Sequence, residues 1–271
     1  MKFFFLSLFA LAIQAKPLEI LFPKSAPKAA VLMVHGLNNT TFVMKDLAEL
    51  FNSEDVLVYQ IGLTGHQDED QAQRYKKLES VKAHDWKEDI LGPLKKLKKD
   101  HPKLPLYFAG YSTGGLLGAL LQAEGHIELE KMLLFEPALK LNGLTHLIRT
   151  LSFFPSLSLE SFAPEKYRAN KNMPMSAYNT FFDVYNEFNE LKSYDKLNIP
   201  TALFIDKSDE LVSFKRTKKF LENEKLSQWQ IFEVKKSRDA KEKYKHLATD
   251  ERSMGKEAWE LTRSRISAFL K

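Results

Sequence analysis

Residues Gly110-Tyr111-Ser112-Thr113-Gly114 stand between an apolar run at 104–109 and a segment of helical spacing that opens at Gly115. A strand that turns sharply into a helix at a serine leaves little room for side chains two positions to either side, and glycine meets that demand. The pattern restricts the chain to folds in which a buried strand feeds directly into a helix. It also lifts the Ser112 hydroxyl clear of the sheet, where it is a candidate nucleophile.

The rest of the chain supplies the elements that such a turn needs. Short apolar runs predict strands at 29–34, 56–61, 104–109, 131–135, 201–205 and 229–234. Helical spacing fills most of the gaps, at 42–51, 84–99, 116–123, 214–222 and 255–270. This alternation predicts the α/β class, with a mostly parallel sheet flanked by helices on both faces. A further run at 18–22 adds an edge strand, set apart by Pro23 and Pro27. The 271 residues, 44% of them hydrophobic, suffice for one large domain.

Between the strands at 131–135 and 201–205 the alternation is interrupted by an insertion at about 142–198, with helical spacing and ten aromatic residues in 57. That density exceeds the 12% of the whole chain, so the insertion can offer apolar surface to a substrate as well as pack on itself. Its six basic and six acidic residues cancel, which indicates no preference for a charged substrate.

Composition excludes several classes of function. With no cysteine the chain has no disulfide, thiol nucleophile, thiolate metal site or cysteine-linked lipid. The net charge of +5 raises the question of nucleic acid. The run Lys95-Lys96-Leu97-Lys98-Lys99, however, continues a helix whose Leu91, Leu94 and Leu97 face inward and leave the lysines in water. A second basic stretch at 235–243 contains acids and precedes a histidine; it suits an approach to a site or contact with a lipid surface. No nucleic-acid recognition motif is present.

At the amino terminus, Lys2, the apolar stretch Phe3 to Ile13 and Gln14-Ala15-Lys16 predict a signal peptide at 1–15, with the mature domain at 16–271 and export to the periplasm or beyond. Eleven apolar residues are too few to span a bilayer, and no later tract is long and apolar enough to do so.

A serine alone is a poor nucleophile and requires a base, an orienting acid and donors for the oxyanion. In an open parallel sheet these belong in loops at the carboxyl ends of strands. His35-Gly36 follows the strand at 29–34, and the next residue, Leu37, can aim its backbone N–H at the cleft. Thr113, directly after the serine, supplies a second N–H at the start of a helix. His35 itself suits a structural role in the turn. For the acid, Asp209 is preferred over Asp206, which suits a cap of the strand end, and over Glu210. The base falls to His246, the histidine that follows the last strand. His66, His84, His101, His126 and His146 lie in earlier loops, helices or the insertion.

Serine, acid and histidine in the order Ser112, Asp209, His246 resemble the α/β-hydrolase superfamily, over essentially all of 16–271. The His35-Gly36-Leu37 turn, the single insertion and the Asp209-Glu210-Leu211-Val212 loop resemble its branch of lysophospholipases and monoacylglycerol lipases. Trp86 and Asp89 also fit that branch. Gly65-His66-Gln67 departs from it, since the branch usually has Gly-His-Gly there. The resemblance implies an α/β-hydrolase fold with a helical lid insertion, acting on acyl esters without metal or cofactor. The same branch holds thioesterases, acyltransferases and peptidases, and a non-catalytic binding protein can share the fold.

Overall fold

A computed structural model describes residues 17–67, 70–154 and 156–271, so the expected signal peptide at 1–15 lies outside the described residues. The chain runs β1 (Pro17–Leu21), β2 (Ala29–Val34), α1 (Lys45–Ser53), β3 (Val56–Ile61), α2 (Gln71–Ser80), α3 (Ala83–Asp100), β4 (Leu106–Tyr111) and α4 (Thr113–Glu124). After β5 (Lys131–Phe135) come α5 (Gly143–Ile148), β6 (Ser158–Glu160), β7 (Asn172–Pro174) and α6 (Met175–Asn189). The chain then completes β8 (Thr201–Ile205), α7 (Phe214–Asn223), β9 (Trp229–Glu233), α8 (Glu251–Met254) and α9 (Lys256–Leu270).

Seven strands form one sheet in the order β1-β3-β2-β4-β5-β8-β9. Only β1 runs antiparallel, against β3; every other pairing is parallel. The interior strands read as unbroken apolar runs because both faces are covered, and alternate side chains enter separate cores. Ala30, Leu32 and Val34 of β2 pack with residues of α3, α4 and α6 on one face. Ala29, Val31 and Met33 pack with α1 and α9 on the other. The predicted bounds of β2, β3, β5 and β8 hold residue for residue. Strand β4 lies two residues later than expected. Pro105 has no N–H for the ladder, and pairing continues to Tyr111 opposite Phe135.

The chain passes from β2 outward to β3 and then back across β2 to β4, so neighbouring strands leave their connections on opposite sides at the β2–β4 boundary. This is the crevice in which open α/β sheets gather their functional loops. His35, Ser112, Glu136 and Asp206 each follow directly on the last residue of a strand at that edge.

The insertion is not purely helical. Alongside α5 and α6 it contains the antiparallel ribbon β6–β7, in which Ser158 faces Pro174. Each of these strands has three residues, too few for a period of two to register. Helix α2 also went unpredicted, because Leu78 is its one buried residue and it carries no apolar stripe. Of the ten aromatic side chains of the insertion, seven are buried and Phe153, Phe154 and Phe162 are exposed. Phe188 anchors α6, in contact with the rings of Tyr194 and Phe220 at 5.3 and 5.7 Å. Phe188→Ala is expected to cost about 3 to 5 kcal/mol, seen as a lower urea midpoint at an unchanged slope.

Candidate active site

Ser112 sits between β4 and α4 with φ 51° and ψ −113°, a backbone conformation that side-chain-bearing residues avoid. Surrounding bonds hold it there. Its N–H donates to Phe135 O at 2.9 Å, and its carbonyl accepts from Leu116 and Ala138, each at 3.1 Å. A Cβ at Gly110 would fall 2.6 Å from Gly115 Cα, and one at Gly114 would collide with the Val34 carbonyl oxygen. The two glycines therefore let the turn close onto β2.

The three separated side chains meet in one relay. Ser112 Oγ lies 2.8 Å from His246 Nε2, and His246 Nδ1 lies 2.7 Å from Asp209 Oδ2. All three are buried, Ser112 at 8% exposure. With the imidazole neutral, the hydroxyl donates to Nε2 and Nδ1–H donates to the carboxylate. Asp209 Oδ1 accepts the amides of Leu211 and Val212 at 2.6 and 2.8 Å. Burial alone would raise the Asp209 carboxyl. The charge and hydrogen bond of His246, with bonds from Glu136 and Val212, outweigh it and hold the group below the usual carboxylate range.

The two alternative acids have other work. Asp206 Oδ1 accepts from the Ser208 amide and hydroxyl at 2.7 and 2.6 Å, closing the turn after β8. Glu210 accepts the amides of Lys245 and His246 at 3.0 and 3.1 Å and fixes the loop that carries His246, a role the sequence did not suggest.

Leu37 and Thr113 line the same cleft as Ser112 and His246. Among the described residues neither amide donates to a protein acceptor, so both remain available to an oxyanion. The cleft encloses about 720 Å³, its open mouth included. Its walls are largely apolar: Leu141, Ile148, Tyr178, Phe181, Phe182 and Val212. No Asp, Glu, Lys or Arg is among the described residues that line it.

Asn38 ties the Leu37 loop to the insertion. Its Nδ2 donates to Ser161 Oγ at 2.7 Å and Asn170 O at 2.8 Å, while Oδ1 accepts the Asn170 amide at 3.0 Å. Two further main-chain bonds, Ala169 N–H to Asn38 O and Thr40 N–H to Tyr167 O, continue the seam.

Behind this loop, His35 fulfils its expected structural role. Its Nε2 accepts the Leu63 amide at 3.0 Å, so Nδ1–H donates to Gly36 O at 2.8 Å. Gln67, the departure from Gly-His-Gly, brings its Nε2 to 3.1 Å from His35 Nε2. Asp89 accepts the amide and hydroxyl of Thr64, and Trp86 Nε1 donates to Thr64 O, so both buried residues brace that loop.

A family model described as serine aminopeptidase S33 matches residues 25–237. The chain belongs to that α/β-hydrolase family. The human (Homo sapiens) monoglyceride lipase is 28% identical over 120 residues, which cover 44% of this chain. The match spans only 38% of the human protein's own length. A solved structure described with LipS and LipT, two metagenome-derived lipolytic enzymes, superposes at TM-score 0.73 and 20% identity, covering 95% of this chain and 98% of its own. A soluble variant of monoglyceride lipase from Saccharomyces cerevisiae, in complex with a substrate analog, gives 0.71 at 12% identity, covering 92% of this chain and 88% of its own. These similarities fix the α/β-hydrolase fold of this S33-family chain.

Burial pushes His35 down to about 3, with the neighbouring His66 adding to the shift, and burial pushes His66 down to about 4. Both rings stay neutral in the folded chain at pH values where the unfolded chain protonates them. Their contribution to stability is therefore lost as pH falls from about 6.5 toward about 4. In urea titrations over that window, His66→Gln is expected to lose less stability on acidification than wild type.

Proposed function

We propose that this chain is an exported serine hydrolase of carboxylic esters with lipid-like acyl groups, of the monoacylglycerol lipase, lysophospholipase or carboxylesterase type. The observation that carries the reading is the relay of Ser112, His246 and Asp209 at the floor of an apolar cleft with two available amides beside it.

In this mechanism His246 Nε2 takes the Ser112 proton as Oγ bonds to the ester carbonyl carbon. The oxyanion is received by the Leu37 and Thr113 amides, each such donor contributing about 3 to 4 kcal/mol at the transition state. The C–O bond to the alcohol then breaks, and the leaving oxygen takes its proton from Nε2. Water, deprotonated by the same imidazole, attacks the acyl-enzyme; the carboxylic acid departs and the proton returns to Ser112. Asp209 offsets the charge of the imidazolium throughout.

The cleft favours esters over peptides with a free amino end. A terminal ammonium calls for a carboxylate at the cleft wall, and none of the described lining residues has one. The rings of Phe162, Tyr178, Phe181 and Phe182 instead present surface suited to an acyl chain.

In this reading the insertion is a lid. Phe153 and Phe154, 86% and 64% exposed, with Leu147 at 62%, form the face by which it meets a lipid aggregate. No helix among the described residues is long and apolar enough to cross a membrane.

Ser112→Ala is expected to lower ester hydrolysis by roughly 10⁴- to 10⁶-fold and to abolish labelling by a fluorophosphonate probe, with an unchanged circular dichroism spectrum. Full labelling of the variant would refute the assignment. Replacing Phe153 and Phe154 together by serine is expected to depress turnover of emulsified monoacylglycerol by roughly thirtyfold relative to a dissolved short-chain ester, because about 2 kcal/mol of apolar contact is lost. An unchanged ratio would remove the lipid-facing role of these rings.

A further inference from the structure

One carboxyl beside the relay is buried with only part of its bonding capacity met by donors of the described residues. Glu136 directly follows β5 with φ 43°, its amide donating to Phe204 O at 2.9 Å. Its side chain is fully buried. Oε1 accepts the Asp206 amide at 2.7 Å, whereas Oε2 is enclosed and meets no donor among the described residues. Ligating atoms of Glu136, Asp209 and His246 all lie within 4.8 Å of one another.

Two ionised carboxyls at this spacing, away from water, repel strongly. A single proton between them turns one into a donor and the other into its acceptor. Donor supply decides which carboxyl keeps it. Asp209 receives two amides and the imidazole, which stabilise its anion, while Glu136 receives one amide. Burial and the adjacent Asp209 charge raise Glu136 well above the usual carboxylate range. Other ionisable groups coupled to this pair are Asp206 after β8, Tyr111 on β4, Tyr244 ahead of His246 and Lys236 after β9, and Glu210 acts on the last three. A cation could also sit among three such groups. The 2.7 Å bond between His246 and Asp209 already closes that edge of the triangle, and the Glu136 and Asp209 side chains are within hydrogen-bonding reach of each other, which suits a shared proton.

We propose that Glu136 is a fourth member of the relay, a protonated carboxyl whose Oε2–H donates to Asp209 and holds that carboxylate behind His246. The proposal rests on the reading that Asp209 and His246 serve Ser112, and it makes Glu136 a positioning residue. The neutral acid adds no negative charge, so the imidazolium faces one anion fixed by four donors.

Glu136→Gln keeps a donor toward Asp209 and an acceptor for the Asp206 amide; Glu136→Leu keeps neither. Infrared spectra at about pH 8, where free carboxyls are ionised, are expected to show a protonated-carboxyl band in wild type that disappears in Glu136→Gln. For kcat, Glu136→Leu is expected to fall roughly ten- to hundredfold with KM little changed, and Glu136→Gln to retain at least about tenfold more than the leucine variant. Absence of the band in wild type, its survival in the glutamine variant, or equal kcat in both variants would overturn the proposal. Should the leucine variant fail to fold, the spectra of wild type and Glu136→Gln decide alone. An absence of esterase activity in wild type would count against the functional reading and leave the band as the measure of the proton.

Discussion

The site depends on a contact of backbone with backbone, where the first turn of α4 is pressed against the carboxyl end of β2 at Gly114 and Val34. That approach holds Ser112 in its positive-φ conformation and brings the loop after β2, which carries Leu37, to the same cleft as Thr113. Because the contact is made by main chain, few side-chain choices there are free. Replacing either glycine would push the helix off the strand and separate nucleophile from donors, whatever the state of the rest of the relay.

Much of this was legible in the sequence for a physical reason. Interior strands of a parallel sheet are buried on both faces, and the resulting apolar runs gave the bounds of β2, β3, β5 and β8. The serine and its flanking glycines could be read because strain limits the residues allowed. Asp209 could be preferred over Asp206 by its place in the loop, and its Oδ2 lies 2.7 Å from His246 Nδ1. Other features left little local signal. Helix α2 buries one residue, the β6–β7 ribbon is too short for periodicity, and Glu210 acts through amides 35 and 36 positions away. Nothing in the local sequence marks Glu136, since its significance arises from neighbours brought in by folding.

The family match and the geometry contribute different parts of the picture. The matched region, 25–237, contains Ser112 and Asp209 but stops short of His246. The loop that carries the histidine is nonetheless built into the same framework. Glu210 secures its amides, and Lys236 donates to Tyr244 O at 2.6 Å just upstream. The two solved structures, at 20% and 12% identity and nearly full coverage, share the scaffold of this chain.

The seam at Asn38 links the insertion mechanically to the donor loop. Asn38 is 3% exposed and follows directly on Leu37, yet its bonds reach residues more than 120 positions later in the chain. A displacement of the 161–170 segment would strip a buried amide of its partners or drag the Leu37 peptide along with it. The loop after β2 and the 161–170 segment are thus coupled through one buried side chain, so that neither shifts without disturbing the other.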